Sequence, residues 1–196
     1  MILGGILIAS FCWALTFGLP SGNFWLKIGL SVAVVSTYSL FFQKPQMSFQ
    51  IGSIFWGMIS AGLLYLIFLM ADKILSQVFL GAKSQVDHIY RLGAGTSKIL
   101  IFLLLLLITG PGEEIFWRGF IQRHLMEQFG PFAGMALTSF IYSGVHLFSG
   151  NLVLILAAFV AGSFWGLLYL WKKDLLTQIV SHSLWGATIF VFAPIQ

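Results

Sequence analysis

Charge is what this chain has least of. Only 8% of its 196 residues are Asp, Glu, Lys or Arg, against 59% hydrophobic, whereas a soluble domain carries about a quarter charged residues. A water-soluble globule is therefore excluded, and the mean hydropathy of +0.96 agrees. The net charge of +4 comes from basic residues that stand singly between apolar runs, which is no footprint for nucleic acid. The single cysteine, Cys12, sits in an apolar segment; it rules out a disulfide framework or a CxxC metal knuckle and reads as core. Two histidines at HExxH spacing are missing, as is any G-x-S-x-G, and no aspartate falls within an apolar run. These absences remove the usual zinc peptidases, the nucleophile-elbow serine hydrolases and aspartyl dyads. There is no basic stretch ahead of Gly4 and Gly5, so the first apolar run reads as a membrane span rather than a cleaved signal peptide.

What is abundant is apolar run after apolar run. A spanning helix needs about 20 residues, with about 17 acceptable. Seven segments qualify: Met1–Leu19, Phe24–Phe42, Ile51–Ala71, Ile99–Phe129, Phe132–Phe148, Leu152–Trp171 and Leu175–Ala193. The fold class is thus an all-α polytopic bundle of about seven spans. Trp25 and Lys27 are candidate interface anchors for the second span. Gly52, Gly57 and Gly62 in the third permit close helix contact, as do Gly162 and Gly166 in the sixth. Residues 72–98 are the longest polar stretch, with Leu75, Val78, Phe79, Ala82, Val86 and Ile89 at helical spacing. They predict one amphipathic interfacial helix, weakened by Gly81, with His88 on its surface. Arg123 and Glu127 form a surface pair, and His124 carries no chemistry. Five basic residues fall on each side of the bundle, so the positive-inside rule does not orient it.

Against this background Gly110-Pro111-Gly112-Glu113-Glu114-Ile115-Phe116-Trp117-Arg118-Gly119 stands out, because ten apolar residues, Ile99 to Ile108, lead into it. Pro111 lacks an N–H and predicts a kink or a restarted helix. A restart puts Glu113 and Glu114 in a first turn, where unpaired N–H groups favour carboxylates. Arg118, four residues after Glu114, is placed to pair with it, while Glu113 lies about 100° round the wheel. A charge near the bilayer centre costs about 3 kcal/mol on insertion scales, and such residues line cavities or reaction paths. One structural pair accounts for Glu114 and Arg118 and leaves Glu113 over. The other ionisable groups expected within spans are His146, one turn after Tyr142, and His182, between Ser181 and Ser183.

Glu113, Glu114, Arg118, His146 and His182 suit two mechanisms if they share one pocket. In the first, Glu113 takes a proton from water attacking a peptide carbonyl, His146 positions that water, His182 donates to the oxyanion and Arg118 holds Glu114. In the second, Glu113, His146 and His182 bind zinc as a His₂Glu set with one position for water. Tyr142 and Phe116 are the aromatic candidates for substrate contact.

Glu113-Glu114-x-x-x-Arg118, Tyr142-x-x-x-His146, Phe159-x-x-Gly162 and His182 together resemble the CPBP family: the type II CAAX prenyl endopeptidases and the bacteriocin-processing or immunity membrane proteins. The likeness covers roughly residues 98–193 and divides the chain into N-terminal helices, 1–97, and a catalytic core, 98–196, within one membrane bundle. It implies an intramembrane endopeptidase with Glu113 as base, Glu114, Arg118, His146 and His182 as its companions, and no required cofactor. The implied partners are a membrane-associated peptide or protein substrate and the bilayer of the cell membrane. Two positions depart from the family pattern. Tyr142 replaces a phenylalanine, and Gly186 stands where His-x-x-x-Asn or Asp is usual, so a side-chain donor is missing unless Asn151 supplies it. A non-catalytic peptide-binding member, acting in immunity or as a scaffold, and a small transporter or proton relay are the competing readings.

Overall fold

The computed structural model describes residues 1–195, which form eight helices and, among these residues, no strands. They are α1 (Ile2–Gly18), α2 (Phe24–Phe42), α3 (Ile51–Val78), α4 (Ala82–Arg91), α5 (Lys98–Phe129), α6 (Pro131–Ser149), α7 (Leu152–Lys172) and α8 (Leu175–Phe192). Six of the eight are long and apolar enough to cross a membrane, and α1 is a shorter apolar helix. With α1 at 17 residues, just inside the range for a span, the chain is an integral membrane bundle of about seven spans.

The helix starts are written in short polar residues. Asn23, Ser97, Asn151 and Asp174 accept backbone N–H groups at the first turns of α2, α5, α7 and α8, meeting donors that lipid cannot satisfy. Gly130, at φ +87°, turns the chain between α5 and α6, with Pro131 in the first position of the new helix. The helices bury one apolar stripe and leave another outside. On α1, Ala9, Cys12, Trp13 and Thr16 are buried while Leu3, Leu7 and Phe11 are exposed, as expected where the solvent is itself apolar.

α5 runs through the middle of the bundle. It packs against α2, α6 and α8, while α1 lies on α2 and the end of α6, α3 on α8, and α7 on α6. Both halves of the sequence therefore contribute to one core.

Several expectations are corrected. The third span does not stop at Ala71; α3 continues to Val78, 28 residues, or about 42 Å at about 1.5 Å per residue. Leu75 and Val78 extend that helix, the chain breaks at Phe79–Gly81, and the amphipathic helix is only the ten residues of α4. Among the third-span glycines, only Gly57 marks a close approach, since an added Cβ would lie 2.6 Å from Val180; Gly52 and Gly62 have nothing within 4 Å. Trp25 is not an interface anchor: it is 4% exposed and packs edge-on to Phe190 of α8. Lys27 does reach back along the chain end, donating from Nζ to the Leu19 carbonyl. The surface pair Arg123–Glu127 forms at 3.3 Å, and His88 is exposed.

Candidate active site

α5 neither breaks nor restarts at Pro111. Leu105–Thr109 is a widened π-type turn in which the Gly110 N–H reaches the Leu105 carbonyl, and the chain stays helical through Gly110 and beyond. The wider turn accommodates the proline ring and its missing N–H without ending the helix. Glu113 and Glu114 therefore do not sit at a free N-terminus, and the dipole argument for their charge falls away. A second widened turn, Trp117–Gln122, follows. Just before the acids, α5 is squeezed between neighbours: Cβ atoms on Gly110 or Gly112 would collide with Ser183 of α8 or Val32 of α2. Both positions need glycine for that close approach, which sets the two glutamates at the bundle centre.

The two acids then diverge. Glu114, fully buried, accepts on one oxygen from both Arg118 Nη1 at 3.1 Å and His182 Nδ1 at 2.7 Å. Arg118, 1% exposed, also donates from Nη2 to the Gly162 carbonyl of α7 at 3.0 Å. Its guanidinium lies 5.2 Å from the Tyr142 ring centre and 5.4 Å from that of Trp165, within cation–π range. One turn on, Gln122 repeats the bridge by donating to the Gly166 carbonyl at 3.0 Å. Gly162 and Gly166 act in packing, since added Cβ atoms would lie 2.8 Å from Tyr142 and from Met135.

Glu113 points elsewhere, as its wheel position predicts. It takes one hydrogen bond, from the Tyr142 hydroxyl to Oε2 at 2.8 Å, and Oε1 has no partner among the described residues. His182 stacks on Trp165 with ring centres 3.9 Å apart, and its Nε2 is likewise free of protein partners. His146 differs. Its Nδ1 lies 2.7 Å from the Tyr142 carbonyl, and its Nε2 accepts from the indole of Trp13 at 3.3 Å.

These groups meet at one cavity of about 130 Å³, whose wall includes Glu113, Tyr142, His146, His182 and Gly186. Most of the rest of its lining is apolar, with Phe17 and Phe24 from α1 and α2, Ile89 from α4, and Ala157, Ala158 and Ala161 from α7. Arg118 and Glu114 stand behind the wall and hold His182. Phe116 does not reach the cavity; it is fully buried against Trp117, Phe120 and the backbone of Gly5, on the α1 side of α5. Asn151 does not replace the missing amide at Gly186. Its oxygen caps α7 at the Leu154 N–H, and its Nδ2 donates to the Gln85 carbonyl of α4. Spacing within one helix gives no hint of Trp13 or Trp165, which meet the two histidines from other helices.

A zinc ion does not fit this arrangement of donors. Among the described residues no three His, Cys, Asp or Glu side chains gather closely enough to hold a metal.

No curated protein matches the chain, and no solved structure does. A family model does: residues 95–188 match the type II CAAX prenyl endopeptidase Rce1-like family. The matched segment is just under half of the sequence, begins before α5, and contains every charged or histidine side chain on or behind the cavity wall. Residues 95–188 of this membrane protein match the Rce1-like family model, a match consistent with the CPBP family.

Proposed function

We propose that the protein is an intramembrane endopeptidase that hydrolyses a peptide bond in a membrane-associated substrate, in the cell membrane, with Glu113 activating the water. The observation that carries this reading is that two ionisable side chains of the cavity wall each keep an atom without a partner among the described residues, Glu113 Oε1 and His182 Nε2. One is an acceptor suited to take a proton and the other a nitrogen suited to meet an oxyanion.

Glu113 Oε1 takes a proton from water as the water oxygen bonds to the carbonyl carbon. The same proton passes to the departing amine nitrogen as the C–N bond breaks, leaving a carboxylic acid and an amine. His182, with Nδ1–H held by Glu114, offers Nε2–H to the oxyanion in its imidazolium form. In that form the two glutamates balance Arg118 and His182, so the buried set carries no net charge, the arrangement least costly away from water. His146 offers Nε2 to the same water. Its bond from Trp13, 3.3 Å, is longer than the usual span of about 2.7–3.2 Å for an N–H donor, so the lone pair is shared rather than consumed. The proposed reaction uses no metal.

The test is cleavage of a library of quenched fluorescent apolar peptides by purified protein carrying no histidine tag. Wild type is expected to cleave, Glu113→Gln to lose about 10²- to 10⁴-fold in kcat, and chelator to leave the wild type active. Stoichiometric zinc lost with His146→Ala would replace the metal-free mechanism. One observation favours a second reading: Gly186 lines the cavity without a side-chain donor. Peptide binding with equal, absent turnover in wild type and Glu113→Gln would establish a non-catalytic immunity or scaffold role.

A further inference from the structure

Trp13 lies in α1, outside the segment that matches the family. Its side chain is fully buried, edge-on to Trp117 with ring centres 6.3 Å apart and to His146 at 6.1 Å. It does not line the cavity but bonds to His146, which does. The indole N–H faces His146 Nε2 at 3.3 Å, while on the far edge of the imidazole Nδ1 lies 2.7 Å from the Tyr142 carbonyl oxygen. An indole N–H only donates and a carbonyl oxygen only accepts. Together they admit one neutral form of the ring, with the proton on Nδ1 and the lone pair on Nε2. Turning the ring over about Cβ–Cγ would set C–H groups against both partners and lose both bonds. Phe17, one turn after Trp13, closes on the same imidazole with ring centres 6.2 Å apart.

On the reading that Glu113 and His182 hydrolyse a peptide bond in this cavity, we propose that Trp13 is a positioning residue for His146. Its N–H fixes the tautomer and orientation of the ring and keeps Nε2 an acceptor, whose lone pair the attacking water shares with the indole. The N-terminal helix is then a working part of the site rather than a membrane anchor beside it. Packing by itself gives a different expectation, because packing depends on the shape of the indole and positioning depends on its N–H.

The experiment replaces Trp13 in the full chain, in nanodiscs, with 3-benzothienylalanine, which puts sulfur in place of the N–H at nearly unchanged shape, and separately with phenylalanine. Nitrogen-15 spectra of histidine-labelled protein, with the His146 signals assigned from His146→Gln, are expected to show protonated Nδ1 and unprotonated Nε2 in the wild type. The Nε2 signal is expected to shift in the benzothienyl protein as its hydrogen bond is lost. In cleavage of the quenched apolar peptide library, the benzothienyl enzyme is expected to lose about five- to tenfold in kcat, the size of one neutral hydrogen bond, with KM within twofold. Wild-type spectra showing Nε2–H would overturn the proposal. So would a benzothienyl enzyme with wild-type kcat beside an impaired phenylalanine variant, which assigns Trp13 to packing. If the wild type cleaves nothing, the peptidase reading fails, and the nitrogen spectra still decide whether Trp13 sets the ring.

Discussion

Glu113 and Glu114 are neighbours of identical chemistry, and replacing each with glutamine is expected to give opposite results. Among the described residues Glu114 is the sole carboxylate paired with Arg118, which is 1% exposed, and it also holds His182 Nδ1 at 2.7 Å. Glu114→Gln leaves that guanidinium buried without its paired carboxylate, a loss of about 3–5 kcal/mol. Among the described residues Glu113 takes a single hydrogen bond, from Tyr142, and its other oxygen has no partner. A glutamine there keeps an oxygen for the tyrosine, so Glu113→Gln is expected to cost about 1 kcal/mol while abolishing most of the turnover. The double substitution Glu114→Gln/Arg118→Met removes both buried charges and is expected to recover a large part of the Glu114→Gln loss. Unfolding by SDS titration in mixed micelles measures the stabilities, and the peptide library measures turnover. Equal destabilisation by the two glutamine variants, or Glu114→Gln at wild-type stability, would refute the division of labour between the acids.

Four further outcomes are expected. Gly57→Val forces a side chain to within 2.6 Å of Val180, whereas Gly62 has nothing within 4 Å; the first is expected to lose about 1–3 kcal/mol in the same titration and Gly62→Val to lose nothing measurable. Asp174, in the turn before α8, is pushed up by burial, but hydrogen bonds from the Ser48 N–H, the Ser53 and Thr177 hydroxyls and the Leu176 N–H outweigh this and hold it below its ordinary 3.8. Its stabilising contribution is therefore present above that value and lost as pH falls through the lowered one, so wild-type stability should fall faster than that of Asp174→Asn between about pH 5 and about pH 2. Asp174→Ala removes the cap at neutral pH and is expected to cost about 1–2 kcal/mol. Gly186→Asn places its Cβ 3.2 Å from Leu105 Cδ2, the mobile end of a side chain, and adds a donor to the chamber wall. A rise in kcat of about tenfold or more is expected, and an unchanged or lower kcat would show that no oxyanion forms beside that position.

Composition and apolar run length determined the architecture, because in lipid a chain this poor in charge has to satisfy its backbone within helices. Spacing along one helix determined that Glu114 meets Arg118 and that Glu113 turns away, since both are properties of the 3.6-residue period. The same local reasoning misjudged Pro111, whose ring is absorbed by a widened turn, and Trp25, whose sequence position near a helix start says nothing of the Phe190 ring it packs against. Only the tertiary structure decided which groups face the chamber. It turned Phe116 toward α1, engaged Asn151 at the start of α7, stacked Trp165 on His182 and brought Trp13 to His146 across 133 positions of chain. Those contacts join separate helices in an apolar solvent, where facing surfaces interlock by shape and by pairing each polar atom, and neither property has a period that one segment can carry.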